Sequence, residues 1–128
     1  MSSTPAPPES TPQLALARRG ERLAARHLTS LGMVVLDRNW RCPHGEIDLV
    51  LRDGDDLVVC EVKTRSTTAY GDPLEAITWE KARRLRRLAA AYLATTTHHL
   101  AGTRLDAVGI WWPEGGRPSL RHVRGVAS

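Results

Sequence analysis

The chain has 128 residues, and 41% of them are hydrophobic, with four Trp and no Phe; this fits one domain whose modest core must be filled by Leu, Val, Ala and the Trp side chains. The net charge of +4 at pH 7 favours a polyanionic partner, nucleic acid first and an anionic membrane surface second. Two cysteines build no disulfide framework, no apolar run is long enough to span a membrane, and the N-terminus lacks a signal-peptide core, so a cytoplasmic protein is expected rather than a stapled secreted or membrane one.

Residues 1–12, MSSTPAPPESTP, carry almost no large apolar groups and read as a disordered tail before a single domain over 13–128. From Gln13 to Leu31 the pattern is helical, with Leu14, Ala17, Ala24, Leu28 and Leu31 on one stripe and Gly32 as the stop. Glu21 falls inside that stripe. A carboxylate there must be paired with a neighbouring Arg, bound to a cation, or set at the edge of the buried face. Residues 33–40 read as a strand followed by the turn RCPHG, and 46–52 and 56–64 as two more strands. Asp72 and Pro73 suit an N-cap and a first helical position, with a short turn over Pro73–Ile77 and a helix from about Thr78 to Thr95. The stripe of that helix is Ala82, Leu85, Leu88, Ala89, Tyr92 and Leu93. Strands over 103–112 and 118–124 complete the order α-β-β-β-α-β-β, an α/β fold with helices flanking a mixed sheet.

The stretch GEIDLVLRDGDDLVVCEVKTR (45–65) carries the chemistry. With Gly54–Asp55 as a two-residue hairpin turn, opposed residues sum to 109. Asp48 then faces Glu61, and Glu46 faces Lys63. Val50 and Val59 lie on the same face, while Ile47, Leu49, Leu51, Val58, Cys60 and Val62 form a wholly apolar one. Opposed like charges destabilise a sheet, so folding alone gives no reason for two apposed carboxylates. A hard divalent cation does, because it takes one or two carboxylates together with water and phosphate. Lys63, two residues beyond Glu61, would stand beside that ion, where it could contact a phosphate or a water molecule. The bland reading is a solvated sheet face with Glu46–Lys63 as an ordinary cross-strand pair.

Asp48 followed by Glu61-Val62-Lys63 resembles the PD-(D/E)xK nuclease signature of restriction-endonuclease-like folds. Together with GEIDLV, EVKTR, RNWR at 38–41 and RLDAV at 104–108, the chain is similar over roughly 14–112 to the YraN-like family of predicted endonucleases, which are related to archaeal Holliday-junction resolvases. The resemblance implies an αβββαβ core, dependence on Mg²⁺ or Mn²⁺, and action on DNA. It assigns Asp48 and Glu61 as metal-binding acids, Lys63 as the catalytic lysine, and Glu21 as the helix acid near the metal. The Pro of the motif is Ile47 here.

The run KARRLRR supplies Arg83, Arg84, Arg86 and Arg87, read either as the solvated face of an amphipathic helix or as a phosphate-binding surface. Thr64, Arg65 and Ser66 are further phosphate-contact candidates, and Glu46 a weaker site candidate. Cys42, His44 and Cys60 fit no standard zinc spacing, and Cys60 reads as core. His98 and His99 read as helix-capping residues, and the four Trp as core or interface. The leading reading is a metal-dependent phosphodiester hydrolase acting on DNA, with a homodimer suited to a two-fold-symmetric junction. The rivals are a non-catalytic nucleic-acid-binding module of the same fold, and an interaction protein that docks through its basic helix.

Overall fold

The computed structural model describes residues 11–69, 71–97 and 99–126; residues 1–10 of the expected tail and His98 lie outside that set. The chain runs α1 (Pro12–Ser30), β1 (Val34–Cys42), β2 (Gly45–Asp53), β3 (Asp56–Arg65), a 3₁₀ turn (Pro73–Ala76), α2 (Trp79–Thr95), β4 (Gly102–Trp111) and β5 (Ser119–Val123). Thr11 and Pro12, assigned to the tail on composition, instead start α1. The Thr11 hydroxyl accepts from the Leu14 N–H at 3.1 Å and Pro12 occupies the first turn. Asp72 and Thr78 cap the 3₁₀ turn and α2 through the N–H groups of Leu74 and Lys81. α2 ends at Thr95, where the Thr96 N–H reaches the Tyr92 carbonyl, so the cap is Thr96 and not His99.

The five strands lie side by side in chain order in one open sheet. β3 and β4 run parallel, which requires a crossover, and α2 supplies it; the other neighbours are antiparallel. α1 covers one face, where Ala24, Ala25 and Leu28 pack with Leu49, Leu51, Val58, Cys60, Val108 and Ile110. α2 covers the other, where Ala82, Leu85, Leu88, Ala89 and Tyr92 pack with Ile47, Val50, Leu57, Val59 and Leu105. The central strands are buried on both faces, as a sheet sandwiched between helices demands. This is the expected α/β architecture with the αβββαβ order of the restriction-endonuclease-like core, extended by β5. No helix among the described residues is long and apolar enough to cross a membrane.

Four local expectations are corrected. β1 runs on to Cys42, so the β1–β2 connection is only Pro43–His44, with Cys42 opposite Gly45. Leu14 and Leu31, on the helical stripe of α1, are exposed, because the sheet covers only the middle of that helix. Of the four Trp, Trp40 and Trp112 pack against the two clusters, but Trp79 is 73% exposed and Trp111 is also exposed. The Thr64 hydroxyl, inside β3, is buried, so it is not available to a phosphate.

Candidate active site

The hairpin register is the expected one at its turn end: Leu49 opposite Cys60, Val50 opposite Val59, and so on to Asp53 opposite Asp56. The ladder stops there. Asp48 does not enter a paired position facing Glu61; its Oδ2 accepts the Val62 N–H at 2.9 Å. A side chain thus occupies the place a ladder carbonyl would hold, and the two strands part at the acids. The same level of β1 is also irregular. Asn39, which would oppose Asp48, has φ +49, and the paired residues skip from Arg38–Leu49 to Trp40–Ile47. Side-chain alternation breaks with it: Leu49 packs toward α1, whereas Ile47 packs toward α2 with Val50. The wholly apolar face expected for β2 is therefore split. Asn tolerates left-handed backbone better than most residues, so the bend falls where the sequence allows it.

The bend gathers the acids. Burial and the charge of Glu61 push the Asp48 carboxyl up to about 7, with Glu21 and Glu46 adding to the effect and the Val62 N–H opposing it. Glu61 is also raised by burial, against the opposing pull of Lys81, Arg84 and Lys63. Lys63 is lowered, first by burial and then by Arg65 and Lys81, with Glu61 and Asp48 opposing. Asp48, Glu61, Lys63 and Glu46 thus lie within electrostatic reach of one another where β2 and β3 separate. Lys81 and Arg84 of α2 border Glu61, although sequence reading had not singled out Lys81.

Glu21 approaches from α1. Its side chain is 14% exposed and binds Arg18 through both oxygens at 3.3 and 3.2 Å, and the Asn39 amide donates to it at 2.8 Å. Of the readings left open for Glu21, pairing with a neighbouring Arg is the one observed. The close approach depends on Gly20, where a Cβ would collide with the Thr64 hydroxyl and sit 2.9 Å from Thr64 Cβ. Glu46 pairs with Arg41 on β1 at 3.4 Å rather than with Lys63. Arg65 closes β3, its carbonyl accepting from the Trp112 N–H at 2.7 Å.

Among the described residues, no three His, Cys, Asp or Glu groups stand where they could share one metal ion. Cys60 is core on the α1 side, while Cys42 packs on the α2 side. Two carboxylates suffice for Mg²⁺, which commonly keeps water and takes the rest of its ligands from substrate phosphate. The donor set of Asp48 and Glu61 fits that chemistry: hard oxygens, partly withdrawn from water, with raised pKa values that a cation would bring down.

A second acid lies two strands along. Asp106 on β4 is 1% exposed and accepts from Arg104 Nε at 2.8 Å and Nη2 at 3.2 Å, and from the Gly125 N–H at 3.2 Å; His122 Nε2 lies 2.8 Å away. Arg104 also donates to Asp53 at 2.9 Å, and the His122 ring stands edge-on to His27. In the sequence, RLDAV stands out only through the family resemblance. The signal was there, because an Asp inside an apolar strand requires a partner and Arg104, two residues before it, shares its face.

The model of the uncharacterised protein family UPF0102 matches residues 20–110. UPF0102 proteins of Nocardioides sp. and Streptomyces coelicolor are 57% and 56% identical over 112 and 117 aligned residues, covering 88% of this chain and 90% and 88% of theirs. One from Frankia alni is 53% identical, covering 88% of this chain and 93% of its own. The matched region takes in the second half of α1 with Glu21, the bend at Asn39 and Asp48, Glu61 on β3, and all of α2. The chain belongs to the UPF0102 family, the YraN-like family whose motifs it carries.

Proposed function

We propose that the protein is a divalent-metal-dependent phosphodiester hydrolase acting on DNA. The observation that carries this reading is the pair of half-buried carboxylates: Asp48 is pushed up to about 7 beside Glu61, with Lys63 on the same strand. Such an arrangement costs stability in the free protein, and clustered perturbed groups of this kind are characteristic of reacting centres. Asp48 and Glu61 would hold Mg²⁺ or Mn²⁺. Bound there, the ion would supply Lewis-acid polarisation of a phosphoryl oxygen and help generate a nucleophile near neutral pH. Lys63 places its ammonium where charge grows on the phosphate, or orients the attacking water. Arg18 and Asn39 hold Glu21, which shapes the field at Asp48 from outside the carboxylate pair. The net positive charge and the bordering Lys81 and Arg84 favour a polyanionic substrate. A two-fold-symmetric junction would engage two copies of the chain.

The test is incubation of the purified protein with branched, single-stranded and duplex DNAs in Mg²⁺, Mn²⁺ or EDTA. Cleavage is expected with either ion and none in EDTA. Glu61→Ala should lose both metal affinity and cleavage. Lys63→Ala should keep metal affinity and lose about 10²–10³ in rate, the usual effect of deleting one transition-state contact. Metal-independent behaviour throughout, or a Lys63→Ala protein that cuts at the wild-type rate, would leave a nucleic-acid-binding module instead.

A further inference from the structure

The four arginines of the KARRLRR run are not equivalent in the fold. Arg86 opens onto a cleft of about 330 Å³ on the β4 side of α2, shared with Leu93, Arg104 and Val126. Arg83 is exposed on the outer surface of the helix. Arg84 and Arg87 turn the other way. With His44 of the two-residue β1–β2 turn and the small side chains Ala90 and Ala91, they line a cleft of about 500 Å³ that holds no carboxylate. Next to His44, Gly45 has φ +144, a backbone conformation that favours glycine, and it lies close to α2, where a Cβ would stand 3.5 Å from Leu88 Cδ1 and 4.0 Å from Arg84 Cδ. Arg84 also borders Glu61, so the cleft is continuous in charge with the acid site.

Resting on the hydrolase reading above, we infer that the cleft of His44, Arg84 and Arg87 seats a backbone phosphate of the bound strand, a step or two from the phosphate that reacts. Lys81 to Arg87 is six residues, roughly 9 Å of helix. One B-form strand presents a phosphate about every 3.4 Å along its axis, so that length matches two to three of them. Guanidinium groups grip phosphate in a forked geometry, and the His44 ring offers an N–H from the opposite wall. The contact is made to the backbone, so it positions the strand for Lys63 without reading sequence. The small Ala90–Ala91 floor lets the polynucleotide approach the helix closely. The recess beside Glu21 is a poorer seat, because Arg18, Arg22 and Arg38 share it with that carboxylate.

Fluorescence anisotropy in EDTA, over a salt series, on whichever DNA of the panel wild type binds most tightly, tests this. Arg87→Ala and Arg83→Ala each remove one positive charge from the same helix, four residues apart. Arg87→Ala should lower the salt slope by about one and weaken binding several-fold, as loss of a phosphate contact does. His44→Ala should weaken binding as well, and Arg83→Ala should do less than either. Equal slopes for Arg83→Ala and Arg87→Ala, with His44→Ala like wild type, would overturn the cleft while leaving the hydrolase reading standing. A wild type that binds none of the DNAs in EDTA yet cleaves them in Mg²⁺ would likewise overturn the cleft alone; one that neither binds nor cleaves would overturn both.

Discussion

Asp48 and Asp106 are acids in one sheet, two strands apart, and their surroundings are opposites. Asp48 has one backbone N–H and three nearby carboxylates, and it is pushed up to about 7. Burial also pushes Asp106 up, but hydrogen bonds from Arg104, His122 and Gly125 outweigh it and hold that carboxyl below the usual range. Asp106 is therefore complete as folded: its charge is matched by partners the chain supplies. Asp48 faces like charge instead, which the cation of the proposed function would offset. Burial alone does not separate a structural acid from a reactive one. The sign of the neighbouring charge does.

The comparison breaks first at Asp106. Asp106→Ala would leave Arg104 with Asp53 alone, and His122 and the Gly125 N–H without their carboxylate. Removing one member of a buried ionic network costs about 3–5 kcal/mol. Urea denaturation at pH 7 should show a loss of that size, and a loss under 1 kcal/mol would mean Asp106 is no keystone. Because its pKa is lowered in the fold, the contribution of Asp106 is intact above about pH 4 and fades as the carboxylate protonates below that.

Asp48→Asn should do the reverse. Asn can still accept the Val62 N–H but carries no charge. The folded protein holds a proton on Asp48 between about pH 4 and 7 that the unfolded chain has released, so stability falls as pH rises through that window. In EDTA at pH 8 the variant should be more stable than wild type by on the order of a few kcal/mol, with the gain vanishing toward pH 4. His27, lowered by burial and His122, works against this trend, but equally in both proteins, so their difference reports Asp48 together with its neighbour Glu61. Saturating Mg²⁺ should stabilise wild type and not the variant. A variant less stable than wild type at pH 8 would show that Asp48 is not under strain.

Period-two alternation and a two-residue turn were enough to read the hairpin, and the ladder from Leu49–Cys60 to Asp53–Asp56 keeps the register that sums to 109. The α2 stripe, the cap at Asp72 and the start of α2 within one residue of Thr78 were equally legible, since all are local. The splaying at Asp48 was not. It depends on left-handed backbone at Asn39, on another strand, and on a side chain taking a ladder position, neither of which leaves a periodic trace. Nor could the sequence pair Asp106 with His122, 16 residues away, before β5 was known to lie beside β4. Glu21 was visible as a misplaced acid in a helical stripe. What brings it to Asp48 is its predecessor Gly20, which reads in sequence as a mere weak point in a helix.

Gly20→Ala probes that approach with the smallest expected effect. Alanine is the better helix former by about 1 kcal/mol. Against this, the new Cβ would overlap the Thr64 hydroxyl and lie 2.9 Å from Thr64 Cβ, so rotating the hydroxyl cannot relieve it. α1 must lift from β3, and overpacking of this kind costs about 1–3 kcal/mol. The net is a loss of about 1 kcal/mol, the difference of those two ranges. The more telling result is the coupling. Lifting α1 carries Glu21 away from Asp48 and removes one of the smaller like-charge contributions there, so Asp48→Asn should stabilise Gly20→Ala less than it stabilises wild type. The interaction should be on the order of 0.5 kcal/mol, the low end of what coupled neighbours show. Asp106→Ala, whose direct partners lie on β4, β5 and the segment after it, reaches α1 only through the His122–His27 contact and should couple to Gly20→Ala more weakly than Asp48→Asn does. If the Gly20–Asp48 cycle closes to zero, Glu21 has no hold on Asp48 and the acid site is built by the hairpin and α2 alone.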